Sequence, residues 1–196
     1  MSMDIRRLIR LLGCLLLFLA LVTIVVGCSS ASPAGDQAEG GDGMQIQLSS
    51  TAFKDGETIP VIYTCDGKNV SPPLSWTEPP QGSKSFALIV DDPDAPAGTW
   101  VHWVVFNLPP SMNSISEGAS SSGNQEPFGT AGMNSFQKRG YGGPCPPKGK
   151  SHRYFFKLYS LDIMLGLKTG ASKADVEKAM QGHILAQGQL MGTYSR

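Results

Sequence analysis

From Met44 to its end the sequence predicts a mainly β domain, an antiparallel β-sandwich or barrel-like fold with long loops. Three observations carry that expectation. Short runs rich in β-branched and aromatic residues recur along the chain. The chain holds 23 glycines and 14 prolines, the punctuation of many turns. Helical periodicity is absent until near the C-terminus.

The segment before Met44 does not belong to that domain. Arg6, Arg7 and Arg10 precede an apolar run from Leu11 to Val26, the basic and hydrophobic regions of a signal peptide. A permanent span usually needs about 20 apolar residues, so an uncleaved anchor is the alternative and the run is marginal for it. The run ends in "VVGC", Val25 to Cys28, which resembles the lipobox of exported bacterial lipoproteins. That resemblance implies removal of residues 1–27 as a signal peptide and lipidation of Cys28. One acyl chain anchors only marginally, and the several chains of a lipoprotein cysteine hold durably. "SSASPAGDQAEGGDG", Ser29 to Gly43, has no large apolar residue and reads as a flexible tether spanning roughly 20 Å. The expected location is the cell envelope. The domain would be lipid-anchored on the outer side of the cytoplasmic membrane, or in an outer membrane facing the periplasm.

Charge and cysteines narrow the function classes. The whole chain is balanced at 16 basic and 16 acidic side chains, and the signal peptide takes away three arginines and one aspartate. No basic stripe is left, which argues against nucleic acid as a partner. Cys14 leaves with the signal and Cys28 is the lipid site, so Cys65 and Cys145 remain in a chain that reaches an oxidising compartment. They are expected to pair, closing a long loop worth about 4 kcal/mol. Two free thiols, one of them reactive, are the alternative.

The elements follow in order. "MQIQLSS" alternates Met44, Ile46 and Leu48 with Gln45, Gln47 and Ser49, the period of a strand. "TIPVIYTC", "SFALIVDD", "WVHWVVFNLP" and "HRYFFKLYSLD" read as further strands. A long loop runs from Pro109 to about Pro147, and loops of that length are usually functional. In "SKADVEKAM" Ser172 is a candidate N-cap with Asp175 three residues on, as in a capping box. A second short helix is expected over Ile184 to Leu190. The fold class is therefore mainly β with one or two short C-terminal helices.

Strand alternation locates the chemistry. In "WVHWVVFNLP" it places Trp100, His102, Val104, Phe106 and Leu108 on one face, and Val101, Trp103, Val105 and Asn107 on the other. In "HRYFFKLYSLD" it puts His152, Tyr154, Phe156 and Leu158 together. A lone histidine on an apolar face is commonly a satisfied core residue. Two of them, each at its strand's N-terminal end beside a loop and an aromatic ring, point to a binding site. Asp92 and Asp94 stand in "DDPDAP", where aspartate before proline initiates turns. Asp94 is the better turn residue, and Asp92 the one placed to reach back over the strand. His183 reads as structural.

Two histidines and a carboxylate also have the composition of a facial metal triad. That leaves a metal-dependent hydrolase as a less favoured reading, with no metal or cofactor expected. No G-x-S-x-G elbow occurs, and the expected disulfide would occupy the Cys145 sulfur, so the chain does not read as an enzyme.

Four stretches carry a family resemblance: "YTCDGKNVSPPLSW" (Tyr63–Trp76), "DDPDAPAGTWVHWVVFNLP" (Asp91–Pro109), "GYGGPCPPKGKSHRYFFKLYSLD" (Gly140–Asp162) and "GHILAQGQLMGTYSR" (Gly182–Arg196). In order and spacing they resemble the phosphatidylethanolamine-binding protein family, and look closest to its bacterial Raf-kinase-inhibitor-like branch. The resemblance covers essentially Met44 to Arg196. It implies Greek-key connections and a small pocket at one end of the sandwich, open to phosphate or a phosphorylated headgroup. Carried over by motif, the ligand-binding residues are Asp92, Trp100, His102, His152 and Tyr154, with backbone N–H groups around Gly143 and Cys145. The C-terminal lid of eukaryotic relatives is not matched, so kinase regulation is not carried over. Physical chemistry suits the same set: imidazoles, a phenol and a Gly-rich turn can donate to phosphate oxygens. An envelope interaction module, such as a protease inhibitor, is the alternative, with its protein partner unknown.

Overall fold

The structure, a computed structural model, describes residues 44–121 and 128–196. The signal peptide, Cys28 and the tether lie outside the described residues, as does 122–127 in the long loop. The strands are β1 (Met44–Gln45), β2 (Leu48–Ser49), β3 (Leu74–Trp76), β4 (Ser85–Asp92), β5 (Trp100–Leu108), β6 (Ser114–Ile115), β7 (Thr130–Ala131), β8 (His152–Leu161) and β9 (Ile184–Tyr194). One helix, α1 (Lys173–Met180), precedes β9. A six-stranded sheet runs β1-β9-β8-β4-β5-β7 and a three-stranded sheet β2-β3-β6. Every pairing is antiparallel except β1 with β9.

The sequence explains which strand is central. "SFALIVDD" has no exposed polar position, and all eight residues of β4 are buried. Phe86, Leu88 and Val90 face inward with Trp103, Val105, Phe156 and Leu158, against Leu48, Leu74, Trp76 and Ile115 of the small sheet. Ala87 and Ile89 face outward with Val104 and Phe106, and are covered by Leu165, Val176 and Met180. Each such side chain contributes about 1.5–3 kcal/mol by leaving water, so both faces of the large sheet hold a core.

The helix forms where its capping signals lie. The Ser172 hydroxyl accepts from the Asp175 N–H at 3.2 Å, and the Asp175 carboxylate accepts from the Ser172 N–H at 3.0 Å. Cys65 and Cys145 form a disulfide across 80 residues of sequence, constraining the unfolded chain by about 4 kcal/mol in the loop-entropy picture.

Three local expectations are corrected. Ile184 to Leu190 is not a helix but the first part of β9, paired with β8 along its length. Its inward set, Ala186, Gly188, Leu190, Gly192 and Tyr194, does have period two, with two glycines hiding it. A Cβ on Gly188 would stand 2.2 Å from the Ile46 carbonyl oxygen, and one on Gly192 would stand 2.5 Å from Ile59. "TIPVIYTC" is not a strand. Pro60 caps a 3-10 turn over Val61–Tyr63, closed by the Thr64 N–H on the Val61 carbonyl. "MQIQLSS" is split, with β1 joining the large sheet and β2 the small one.

The fourth correction concerns β5. Val90 pairs with Trp103 but Asp91 with Val101, and Phe86 pairs with Leu108 but Ala87 with Phe106. His102 and Asn107 are therefore extra residues, one bulge each. Asn107 takes φ 57°, tolerable for asparagine, and clasps Leu165 through its N–H and carbonyl at 2.7 and 2.9 Å. With two bulges the simple alternation fails: Val104 and Phe106 belong to the outer core, while Trp103, Val105 and Leu108 belong to the inner one.

Candidate functional site

A cavity of about 260 Å³ opens where β4 ends and β5 and β8 begin. Asp92, Trp100, His102, Cys145 and His152 line it, together with Phe136 and the small or rigid residues Ala95, Pro96, Pro146 and Pro147. The bulge in β5 is what brings His102 here. It lets His102 point to the same side as its neighbour Trp103, so that His102 meets Tyr154 on β8 at a ring distance of 5.2 Å.

Both histidines are buried and held by Nδ1. His102 Nδ1 lies 2.6 Å from the Gly142 carbonyl oxygen, and the Gly142 N–H returns a bond to the His102 carbonyl at 2.9 Å. His152 Nδ1 lies 2.7 Å from Asp92 Oδ2. A carbonyl can only accept, so His102 Nδ1 carries a proton; the carboxylate imposes the same on His152. In its neutral form each ring therefore keeps a lone pair at Nε2, the one nitrogen left for a ligand. Burial pulls the His102 pKa below its ordinary 6.5, with the Gly142 bond and the Asp92 charge opposing.

Both oxygens of Asp92 are engaged. Its Oδ1 accepts the Asp94 N–H at 2.8 Å, the side-chain turn expected of "DPD", while Oδ2 holds His152. Asp94 is the structural member of the pair. It takes the Arg153 backbone N–H and Nε at 2.9 Å each and Nη2 at 2.7 Å, and these bonds hold its pKa down at about 2.

Not every expected residue reaches the cavity. Tyr154 stands behind His102 rather than in the lining. Its hydroxyl is buried without a hydrogen bond of acceptable geometry, and burial, followed by the nearby Asp92 charge, pushes its pKa up. Gly143 is not among the lining residues, and its N–H donates to Asn69 Oδ1 at 2.7 Å. A Cβ there would lie 2.2 Å from the Tyr63 carbonyl oxygen, so this glycine serves close packing. Cys145 does line the cavity, as half of the disulfide. His183 is outside the site, with Nδ1 2.8 Å from Asp162.

Phe136 was not singled out in the sequence. Its ring meets Trp100 at 5.4 Å and His102 at 5.5 Å, edge to face. Asn134 builds the turn that presents it: Oδ1 accepts from the Phe136 and Lys138 N–H groups at 3.0 and 3.1 Å, and Nδ2 donates to Gly140 at 3.0 Å. The only available signal was an aromatic residue inside a Gly- and Ser-rich loop.

Among the described residues, no lysine or arginine lines the cavity. Among the described residues, no three His, Cys, Asp or Glu side chains converge to hold a metal ion. The arrangement offers a small ligand two imidazole nitrogens on a floor walled by aromatic and proline rings.

The family model for phosphatidylethanolamine-binding proteins matches residues 49–195. A UPF0098 protein of Methanothermobacter thermautotrophicus is 50% identical over 151 residues, covering 77% of this chain and 99% of its own. One from Pyrococcus horikoshii is 40% identical over 199 residues, covering 100% of both chains. Among solved structures, a putative phosphatidylethanolamine-binding protein homologue of Chlamydia trachomatis has 43% identity and a TM-score of 0.71, covering 78% of this chain and 98% of that one. Escherichia coli YbcL has 33% identity and a TM-score of 0.72, covering 78% and 99%. With its sandwich, its motifs in register and these relatives, the chain belongs to the phosphatidylethanolamine-binding protein family.

Proposed function

We propose that this protein is an exported, membrane-tethered binding protein whose cavity takes phosphate or a phosphorylated headgroup. The observation that carries the ligand class is the pair of buried histidines, each fixed by Nδ1 and each lining one small cavity. Neutral rings offer only lone pairs at Nε2, and a phosphate dianion offers only acceptors. Binding therefore needs one proton in the site, either on an imidazole or on a phosphate oxygen that then donates to Nε2. A phosphate monoester, whose second pKa is about 6, supplies that proton near neutrality. Trp100, Phe136, Pro146 and Pro147 would pack against the ester's organic part.

The export half rests on the basic and apolar segment ending in "VVGC" and on the polar tether after Cys28. The alignment with the Pyrococcus horikoshii relative spans this chain completely, that segment included. Metabolic palmitate labelling should mark the wild-type chain and not Cys28→Ser; equal labelling would remove the lipid anchor from the reading.

The ligand reading is tested with the double substitution His102→Ala and His152→Ala in the detergent-solubilised full chain. Inorganic phosphate titrated by calorimetry should bind the wild type and lose at least about 100-fold in the double variant, two charge-assisted bonds being removed. Unchanged binding would place the phosphate elsewhere.

A further inference from the structure

The cavity has an unmet electrostatic need. A phosphate group brings at least one full negative charge, yet among the described residues no lysine or arginine lines the site. Arg153 and Arg196 stand near its end of the sheet. Arg153 adjoins His152, but its guanidinium is spent on Asp94 through Nε and Nη2. Arg196 is differently placed. It lies two residues past Tyr194, which pairs with His152 across β8 and β9. Tyr194 and Arg196 reach the same carboxylate: the Tyr194 hydroxyl donates to Asp66 Oδ2 at 2.8 Å, and Arg196 Nε lies 3.1 Å from both Asp66 oxygens. The Arg196 carbonyl accepts the Gly149 N–H at 3.2 Å, pinning it to the loop that follows the cavity wall. Its Nη1 then comes within 3.9 Å of Cys145 Sγ, the sulfur of a cavity-lining residue. Nε is committed to Asp66 and one Nη1 N–H to the Cys145 sulfur, which leaves the other Nη1 N–H and both N–H groups of Nη2 without a partner among the described residues.

We infer that Arg196 is a further ligand-binding residue, the cation that reaches a phosphate seated on His102 and His152 from beyond the Cys145 wall. The inference rests on the phosphate reading of the cavity and adds the group that selects for an anion. A planar guanidinium suits phosphate geometry better than an ammonium would. Asp66 has two opposing roles here: it holds the guanidinium in place, and it competes with the ligand for its charge.

That opposition gives the test a sign. Inorganic phosphate is titrated by calorimetry into the detergent-solubilised full chain as wild type, Arg196→Gln, Arg196→Lys and Asp66→Asn, with unfolding midpoints recorded for each. Arg196→Gln should bind about tenfold more weakly, the loss of one charge-assisted contact, with Arg196→Lys between it and the wild type. Asp66→Asn should bind as well as the wild type or better, because the arginine keeps its charge and loses its competitor. If Arg196→Gln binds within twofold of the wild type, the inference fails while the reading of the cavity stands. If Arg196→Gln and Asp66→Asn weaken binding equally, Arg196 is only half of a structural ion pair and the inference also fails. Should Arg196→Gln not fold, Asp66→Asn and Arg196→Lys decide it by the same signs. A wild type that binds no phosphate overturns the cavity reading and this inference with it.

Discussion

Asp91 and Asp92 are chain neighbours, both carboxylates and both buried, and they do unlike work because they face opposite sides of one strand. Asp91 points to the outer face, where Lys173 of α1 lies 2.6 Å and Lys157 of β8 2.9 Å from its oxygens. Both lysines keep part of their side chain in water, so the cluster ties the helix to the sheet at modest desolvation cost. Asp92 points to the inner side, where its partners are one backbone N–H and one imidazole. A charge surrounded by ammonium groups is neutralised in place. A charge bonded to an imidazole sets that ring's tautomer and leaves its far nitrogen for something else. One strand thus carries its anchor and its site back to back.

Breaking the outer side should cost the most stability. Asp91→Ala removes the acceptor for two lysines, and the expected loss is about 3 kcal/mol, the lower end of the range for a broken buried pair because both lysines can reach water. Denaturant unfolding measures it, and phosphate affinity should not change. A comparable loss of binding would mean that the two faces are not separable.

On the inner side the larger effect should fall on ligand affinity. Asp92→Asn keeps the shape but cannot accept from both the Asp94 N–H and His152 Nδ1. About 1–2 kcal/mol of stability should go with the lost bond, and phosphate should bind about tenfold more weakly, as one charge-assisted bond is lost. Stability loss with intact binding would make Asp92 a turn residue only.

Much of this contrast was legible in sequence, and the limits have physical causes. "SFALIVDD" reads as a strand and "DPDAP" as a stiff turn, while burial of that strand on both faces is visible only in the fold. His102 was placed beside Trp100 correctly, though by an alternation that a bulge interrupts; register shifts leave no composition signal. The strand period of β9 is masked in the sequence because Gly188 and Gly192 occupy inward positions, where hydropathy carries no signal. The Gly143 N–H is a donor, as the motif implies, but its partner Asn69 is far away in the chain and carries no local signal. Phe136 depended in the same way on a turn built by Asn134, which only the folded loop displays.

On the phosphate reading, binding needs one shared proton between two Nδ1-anchored imidazoles and a phosphate group. Phosphate affinity of the detergent-solubilised full chain, measured by calorimetry across pH 5.5 to 8.5, tests it most directly. His102 has its pKa lowered by burial, so its free ring is neutral over most of that range, and inorganic phosphate loses its own proton about one pH unit above the monoester's value of about 6. Affinity should therefore fall as pH rises, by up to about tenfold per pH unit once both are deprotonated. An affinity that stays level or rises toward alkaline pH would mean that no such proton is shared.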